Sequence, residues 1–200
     1  MSCESAREIN EIMLERLSKG VAMEEFAEAI ATFTGGSGAV AMLLTDGSFS
    51  GAAGHRLLGA VSQVAPEHHE LCRWGLSPAA GLQQLQFMVT DSVSVLKYGV
   101  QLGQRTWRVF LEELDWTAAE VQRVICHQVG SGHQDAILKS LQLPKEKDYT
   151  TYRFLGNMGT AALPVTAAIA AERGVLKAGE RVGFLGIGSG LTCLMMGLEW

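Results

Sequence analysis

The chain has 200 residues, a length that suits one domain of ordinary size or one and a half small ones and that can bury a substantial core. Apolar residues make up 48% and charged residues 18%, which excludes a disordered chain; a net charge of −5 with no basic stripe excludes a general nucleic-acid binder, since phosphate contacts need clustered Lys and Arg. The longest apolar stretch, TAALPVTAAIAAERG, is interrupted by Pro164 and closed by Glu172 and Arg173, too short and too alanine-rich for a membrane span.

Residues 4–18 are expected to form a helix, with Ile9, Ile12, Met13 and Leu17 as an apolar stripe opposite the acids and Gly20 as its end. A second helix is expected from Met23 to about Ala31, with Phe26, Ala29 and Ile30 facing inward. TGGSG then breaks the chain, and AVAMLLT reads as a buried strand. Residues 46–54 read as a loop, HRLLGAVSQVA as a strand, and residues 66–90, rich in Gln, Pro and Gly, as irregular. Asp91 or Ser92 can cap the longest helix, which runs to about Leu114 with Leu96, Gly99, Leu102, Thr106, Val109, Phe110 and Leu114 at near-helical spacing.

In the second half VQRVICH reads as a strand, SGHQDAILKSLQL as a helix that Ser131 opens, and KDYTTY as a short strand. Gly159 to Arg173 reads as a helix stopped by Gly174, with Pro164 near its first turn, where proline costs least. ERVGFLGIGSGLTCLMMGLEW reads as strand, glycine turn, strand. The alternation gives an α/β layered pattern with helices on a mixed sheet. The opening MSCESAREIN has no apolar signal core, so no secretory peptide is expected. The four cysteines, Cys3, Cys72, Cys126 and Cys193, form no CxxC pair and read as reduced thiols of a cytoplasmic protein, with Cys126 and Cys193 as small core residues.

Three places can carry chemistry. His127 ends a buried strand, where ligands of open α/β sheets gather; position alone leaves it open between a core histidine satisfied by backbone and a donor at a site. Asn157, between Gly156 and Gly159, is either a residue in a left-handed turn or an amide aimed at a ligand. The turn GIGSG, residues 186–190, lacks the lysine of a phosphate loop; it is either a tight turn or a place where backbone N–H groups meet a ligand closely. His68 and His69 sit beside Glu67 and Glu70, but neighbouring residues do not share a helix face, so they read as a solvated polar patch and no metal is expected.

FTGGSGAVAMLL, ICHQVGSGH, FLGNMGTAALPVTAAIAAERG, LKAGERVGFLGIGSGLTC and the closing LEW together resemble the thiolase superfamily, in its ketoacyl-ACP synthase III branch. The middle segment, MVTDSVSVLKYGVQLGQRTWRVFLEELDW, resembles the enzymes that join two long-chain acyl-CoA molecules head to head in olefin biosynthesis. The resemblance implies a thiolase-like layered α/β fold (α-β-α-β-α). Residues 1–50 would be the end of its N-terminal half, and residues 51–200 its C-terminal half with the His and Asn loops. It implies that His127 and Asn157 hold the thioester oxygen of a second substrate while it carries enolate charge. The Ser189 backbone N–H would belong to the other oxyanion hole, and Gly156, Gly188 and Gly190 would line the substrate.

The same resemblance implies a departure. The family's nucleophile lies in an Ala-Cys-x-Gly-type helix start ahead of the region that MSCESAREIN resembles, and none of Cys3, Cys72, Cys126 and Cys193 stands in that motif. Two explanations are open, a split acyltransferase or a fragment or degenerate paralogue; the expectation is one subunit of a split acyltransferase, with a second polypeptide supplying the cysteine in a heterodimer or a dimer of heterodimers. The reaction would be Claisen condensation of acyl-CoA or acyl-carrier-protein thioesters, with no cofactor; a decarboxylative variant and a non-catalytic structural or regulatory subunit are the alternatives. Related synthases carry an arginine just after the His-Gln pair; here VGSGH offers His133 as the cation.

Overall fold

The computed structural model describes residues 1–48, 54–77 and 85–200. The elements in chain order are β1 (Ser2–Glu4), α1 (Arg7–Ser18), α2 (Met23–Ala29), β2 (Gly38–Val40), β3 (Arg56–Val64), β4 (Cys72–Ser77), β5 (Leu85–Thr90) and α3 (Ser92–Glu113). They continue with β6 (Arg123–Cys126), α4 (Ser131–Ser140), α5 (Tyr152–Leu155), α6 (Ala162–Glu172), β7 (Arg181–Gly188) and β8 (Thr192–Glu199).

The central sheet has the order β3-β8-β7-β6. Only β6 and β7 run parallel, with Cys126 opposite Leu185, and a parallel pair needs a crossover, here supplied by α4, α5 and α6. Both faces of this pair are covered, which explains its unbroken apolar runs. Val124, Cys126, Leu185, Cys193 and Met195 point towards Leu102, Trp107 and Phe110 of α3 and Leu138 of α4. Ile125, Val182 and Phe184 point the other way, onto Ala167 and Ala170 of α6, as the two-residue period of a strand requires. Small residues on α6 let it lie close to the sheet.

Several expectations hold. Asp91 Oδ1 accepts the Ser94 N–H at 3.0 Å and caps α3. Met13 is buried on α1, α4 starts at Ser131, and Cys126 and Cys193 are buried. Gly174, at φ +65°, ends α6, and the Val175 N–H reaches Ala170 O at 2.9 Å. β7 and β8 form the expected pair around residues 189–191.

Others do not. The first helix begins at Arg7 rather than residue 4: Glu4 pairs with Gly38, and Ser2 with Val40, in a two-stranded antiparallel sheet. AVAMLLT is not a buried strand; β2 ends at Val40, and Met42, Leu43 and Leu44 are 54%, 75% and 74% exposed. Of the three residues expected to face inward Ala29 is buried, whereas Phe26 and Ile30 are exposed; α2 ends at Ala29 and a 3-10 turn takes over at Ile30–Thr34. Residues 66–77 and 85–90 are not irregular: a 3-10 turn, Pro66–Leu71, leads into β4, which pairs antiparallel with β5 from Cys72↔Thr90 to Ser77↔Leu85, while residues 49–53 of the expected loop and 78–84 lie outside the described residues. KDYTTY is not a strand. It touches β6 at one bridge, Val124↔Asp148, and then winds into α5, because side chains rather than a backbone ladder take up the neighbouring N–H groups.

Phe110 is fully buried and packs between Trp107 and Trp116 at centroid distances of 5.3 and 5.9 Å. Phe110→Ala is expected to cost about 3–5 kcal/mol of stability, read from the urea unfolding midpoint at constant m-value.

Candidate active site

His127 leaves β6 with its backbone N–H on Leu185 O at 2.9 Å. Its side chain is half-buried, and among the described residues neither ring nitrogen has a hydrogen-bond partner, so the reading of a backbone-satisfied core histidine does not hold. Desolvation, with a smaller contribution from His133, pushes the imidazole down to about 4. At neutral pH the ring is uncharged and can donate one N–H. His133, on α4, is also half-buried and lowered by burial, so it supplies no positive charge at neutral pH.

Asn157 is held by its backbone. Its N–H donates to Thr34 O at 2.8 Å, and its carbonyl accepts the Gly36 N–H at 2.8 Å. This is the function of TGGSG that sequence reading missed: the glycines are a seat, not just a break. A Cβ on Gly36 would lie 1.8 Å from Leu155 O, and one on Gly38 2.6 Å from Met158 Sδ. Asn157 itself has no positive φ; Gly156 at +67° and Gly159 at +53° make the turn, so the left-handed reading of Asn157 is replaced. Its Oδ1 accepts the Gly159 N–H at 3.0 Å. The amide oxygen is thereby fixed, and the two N–H groups of Nδ2 are turned away from that bond.

Between these two loops lies a set of polar side chains with no part in the sequence reading. Gln128 Oε1 accepts the N–H groups of Thr151 and Tyr152 at 2.8 and 3.2 Å. Asp148 Oδ1 accepts the Cys126 N–H at 3.1 Å, and its Oδ2 accepts Gln134 Nε2 at 2.9 Å. Tyr152 donates its hydroxyl to Gln134 Oε1 at 3.1 Å. Burial raises the Asp148 carboxyl to about 6, against the pull of the Cys126 N–H and Gln134.

Ser189 is exposed in the turn after β7. The turn is pinned by reciprocal backbone bonds of Ala65 and Leu191, at 2.8 and 3.1 Å, and Ser189 Oγ donates to Cys72 Sγ at 3.3 Å. Gly188 ends β7, and Gly190 has φ +128°. Because Cys126 pairs with Leu185, His127 stands level with Gly186, and Ser189 follows the end of β7 at Gly188, on the same end of the sheet. The sheet thus gathers His127 and the glycine turn at the carboxyl ends of its parallel strands, and Gln128 ties that end to the segment leading to Asn157. Burial pushes the thiols of Cys126 and Cys193 upward, well above the usual range for Cys126, so neither is a ready nucleophile. His68 stacks on Tyr98 at 3.9 Å, and His69 Nδ1 meets Pro66 O at 3.0 Å, apart from this site.

Residues 111–200 match the family described as the C terminal of 3-oxoacyl-[acyl-carrier-protein] synthase III. The matched stretch contains β6, α4, α6, β7 and β8, and with them His127, Asn157 and Ser189. The whole chain is similar to an acyl-CoA:acyl-CoA alkyltransferase of Shewanella oneidensis, 48% identical over 202 residues, covering 100% of this chain and 58% of the relative. An enzyme of the same description from Xanthomonas campestris pv. campestris is 35% identical over 198 residues, covering 98% and 56%. Among solved structures, a cysteine-to-serine variant of Xanthomonas campestris OleA with bound lauric acid and lauroyl-CoA superposes with a TM-score of 0.88 at 35% identity, over 99% of this chain and 56% of that one. The fold is therefore thiolase-like, and the chain spans little more than half the length of the relatives it matches. Among the described residues no helix is long and apolar enough to cross a membrane.

Proton linkage gives a test of the site's electrostatics. His127 is neutral in the fold down to about 4, whereas an unfolded histidine protonates near 6.5, so its contribution to stability is lost as pH falls through that window. Asp148 acts oppositely: raised from 3.8 to about 6, it favours the fold below the lower value, and that contribution is lost as pH rises through the upper one. His127→Ala is expected to gain stability relative to the native chain on acidification, and Asp148→Asn on raising the pH past 6. Urea unfolding across this range checks both slopes, and parallel curves for native and variant chains would refute them.

Proposed function

We propose that this chain supplies the histidine–asparagine part of a site for Claisen condensation of long-chain acyl-CoA thioesters, with the nucleophilic cysteine contributed by a second polypeptide. The observation that carries the reading is the pair of neutral donors. His127 is an uncharged imidazole with unpartnered nitrogens among the described residues, and Asn157 has its oxygen tied back so that Nδ2 faces away. Two fixed, partly desolvated donors suit an oxygen on which negative charge develops. The similarity to acyl-CoA:acyl-CoA alkyltransferases and to an OleA with lauroyl-CoA bound supports the substrate class.

The cysteine thiolate attacks the thioester carbonyl of one acyl-CoA. Its carbon–sulfur bond to CoA breaks, CoA leaves as thiolate, and the acyl group rests on the cysteine. In this step the Ser189 N–H, between Gly188 and Gly190, helps hold the tetrahedral oxyanion. A second acyl-CoA loses an α-proton to a base outside these residues, and its enolate oxygen takes hydrogen bonds from His127 and Asn157. The α-carbon then attacks the acyl-cysteine, the carbon–sulfur bond to cysteine breaks, and a β-keto thioester is released. Every bond made or broken is covered by thiol, base and donors, so the proposed reaction uses no cofactor. The second-polypeptide form of the proposal is supported by the exposed run Met42–Leu44 beside the two-stranded sheet of β1 and β2, an apolar surface next to open strand edges.

Co-expression with a protein carrying an Ala-Cys-x-Gly motif, assayed by CoA release and by mass spectrometry of the acylated cysteine, tests the scheme. His127→Ala or Asn157→Ala is expected to lower condensation roughly 10²–10³-fold, while acylation changes little. Condensation at the native rate in both variants would end the proposal.

A further inference from the structure

We infer that Gln128 is a positioning residue whose side-chain amide holds His127 and the turn bearing Asn157 in one frame; the inference rests on the proposed condensing site. Gln128 is 1% exposed. A buried amide has to find partners for both its ends, and this one finds them on two different elements. Nε2 donates to Cys126 O at 2.6 Å, at the end of β6 and next to His127. Oε1 accepts the Thr151 and Tyr152 N–H groups at 2.8 and 3.2 Å, which are free donors at the start of α5.

The clamp is closed from behind. Asp148 accepts the Cys126 N–H, Gln134 donates to Asp148, and Tyr152 donates to Gln134. The end of β6, one turn of α4 and residues 148–152 therefore form a continuous hydrogen-bonded circuit. α5 is a single turn, Tyr152–Leu155, and Gly156 and Asn157 follow it directly. Its near end is set by Gln128 and its far end by Thr34 O and the Gly36 N–H. A change at Gln128 frees the near end alone, so the Asn157 amide shifts relative to the imidazole while the far seat stays intact. No other side chain in the circuit bonds both the β6 carbonyl beside His127 and the amides that launch α5.

Two substitutions separate positioning from bulk structure. Gln128→Met keeps length and neutrality but can make none of the three bonds. Gln128→Glu, whose carboxyl burial keeps protonated, can donate to Cys126 O and accept from Thr151 and Tyr152. The side-chain amide resonances of Asn157, recorded by NMR on the full chain below its unfolding transition, are expected to shift and broaden in Gln128→Met and to return towards native in Gln128→Glu. In the co-expressed complex, condensation is expected to fall about tenfold to a hundredfold in Gln128→Met through kcat rather than KM, with rescue in Gln128→Glu and near-native acylation of the cysteine in both. Native Asn157 resonances and native kcat in Gln128→Met overturn the inference; so does a Gln128→Glu chain that folds but rescues neither readout. If the resonances move as expected but the native complex does not condense acyl-CoA, the positioning role stands and the proposed reaction falls.

Discussion

β6 is an edge strand that is also buried, and a buried edge must hand its outward backbone groups to something. Among the described residues no further strand takes them. Asp148 takes the Cys126 N–H, Gln128 takes the Cys126 carbonyl, and the chain that brings Asp148 into place passes along β6 at a single bridge. The route of residues 148–157 follows from that need. The segment cannot extend as a strand, because its own N–H groups at Thr151 and Tyr152 are drawn to Gln128. It winds into one helical turn, and Asn157 emerges where that turn meets the Gly35–Gly36 backbone. The asparagine is thus placed by how an edge is satisfied as much as by its own glycine-flanked turn.

A second constraint is the sheet's burial on both faces. Alternate residues of β6, β7 and β8 enter two separate cores, one under α3 and α4, the other under α6. Polar groups can then emerge only at the strand ends, and His127 and the 186–190 turn do so at the same end. Burial keeps the imidazole neutral, with a smaller push from His133, and among the described residues its ring nitrogens have no partner.

Much of this was legible in the sequence wherever the signal is local. Asp91 sits in front of a long apolar period, Gly174 closes an alanine-rich one, and the glycines around Asn157 and Ser189 punctuate the chain where it turns. His127 stood out because a polar ring ends an apolar run. The parts that were not legible depend on distant residues. Asp148 looks like an ordinary surface residue until the strand it satisfies, 22 residues earlier, is known, and Gln128 does so until the Thr151 N–H, 23 residues later, is known to reach it. KDYTTY has strand-like composition, but side-chain acceptors outcompete a ladder. AVAMLLT has the composition of an inner strand and lacks a neighbour to bury it among the described residues; composition reports a preference for burial, not the surface that provides it. TGGSG could be read as a break, while its use as a seat depends on a loop more than a hundred residues later. The roles of His127, Asn157 and Ser189 rest on family resemblance rather than on any local pattern.

The run from Met42 to Leu44 has a practical meaning. Three successive large apolar side chains lie in water beside a strand with an unsatisfied edge, and such a segment adheres to others like itself as readily as to a foreign surface. Concentration, warming and kosmotropic salt all strengthen apolar association at such a stretch, whereas the buried layers around Phe110 offer no surface for it.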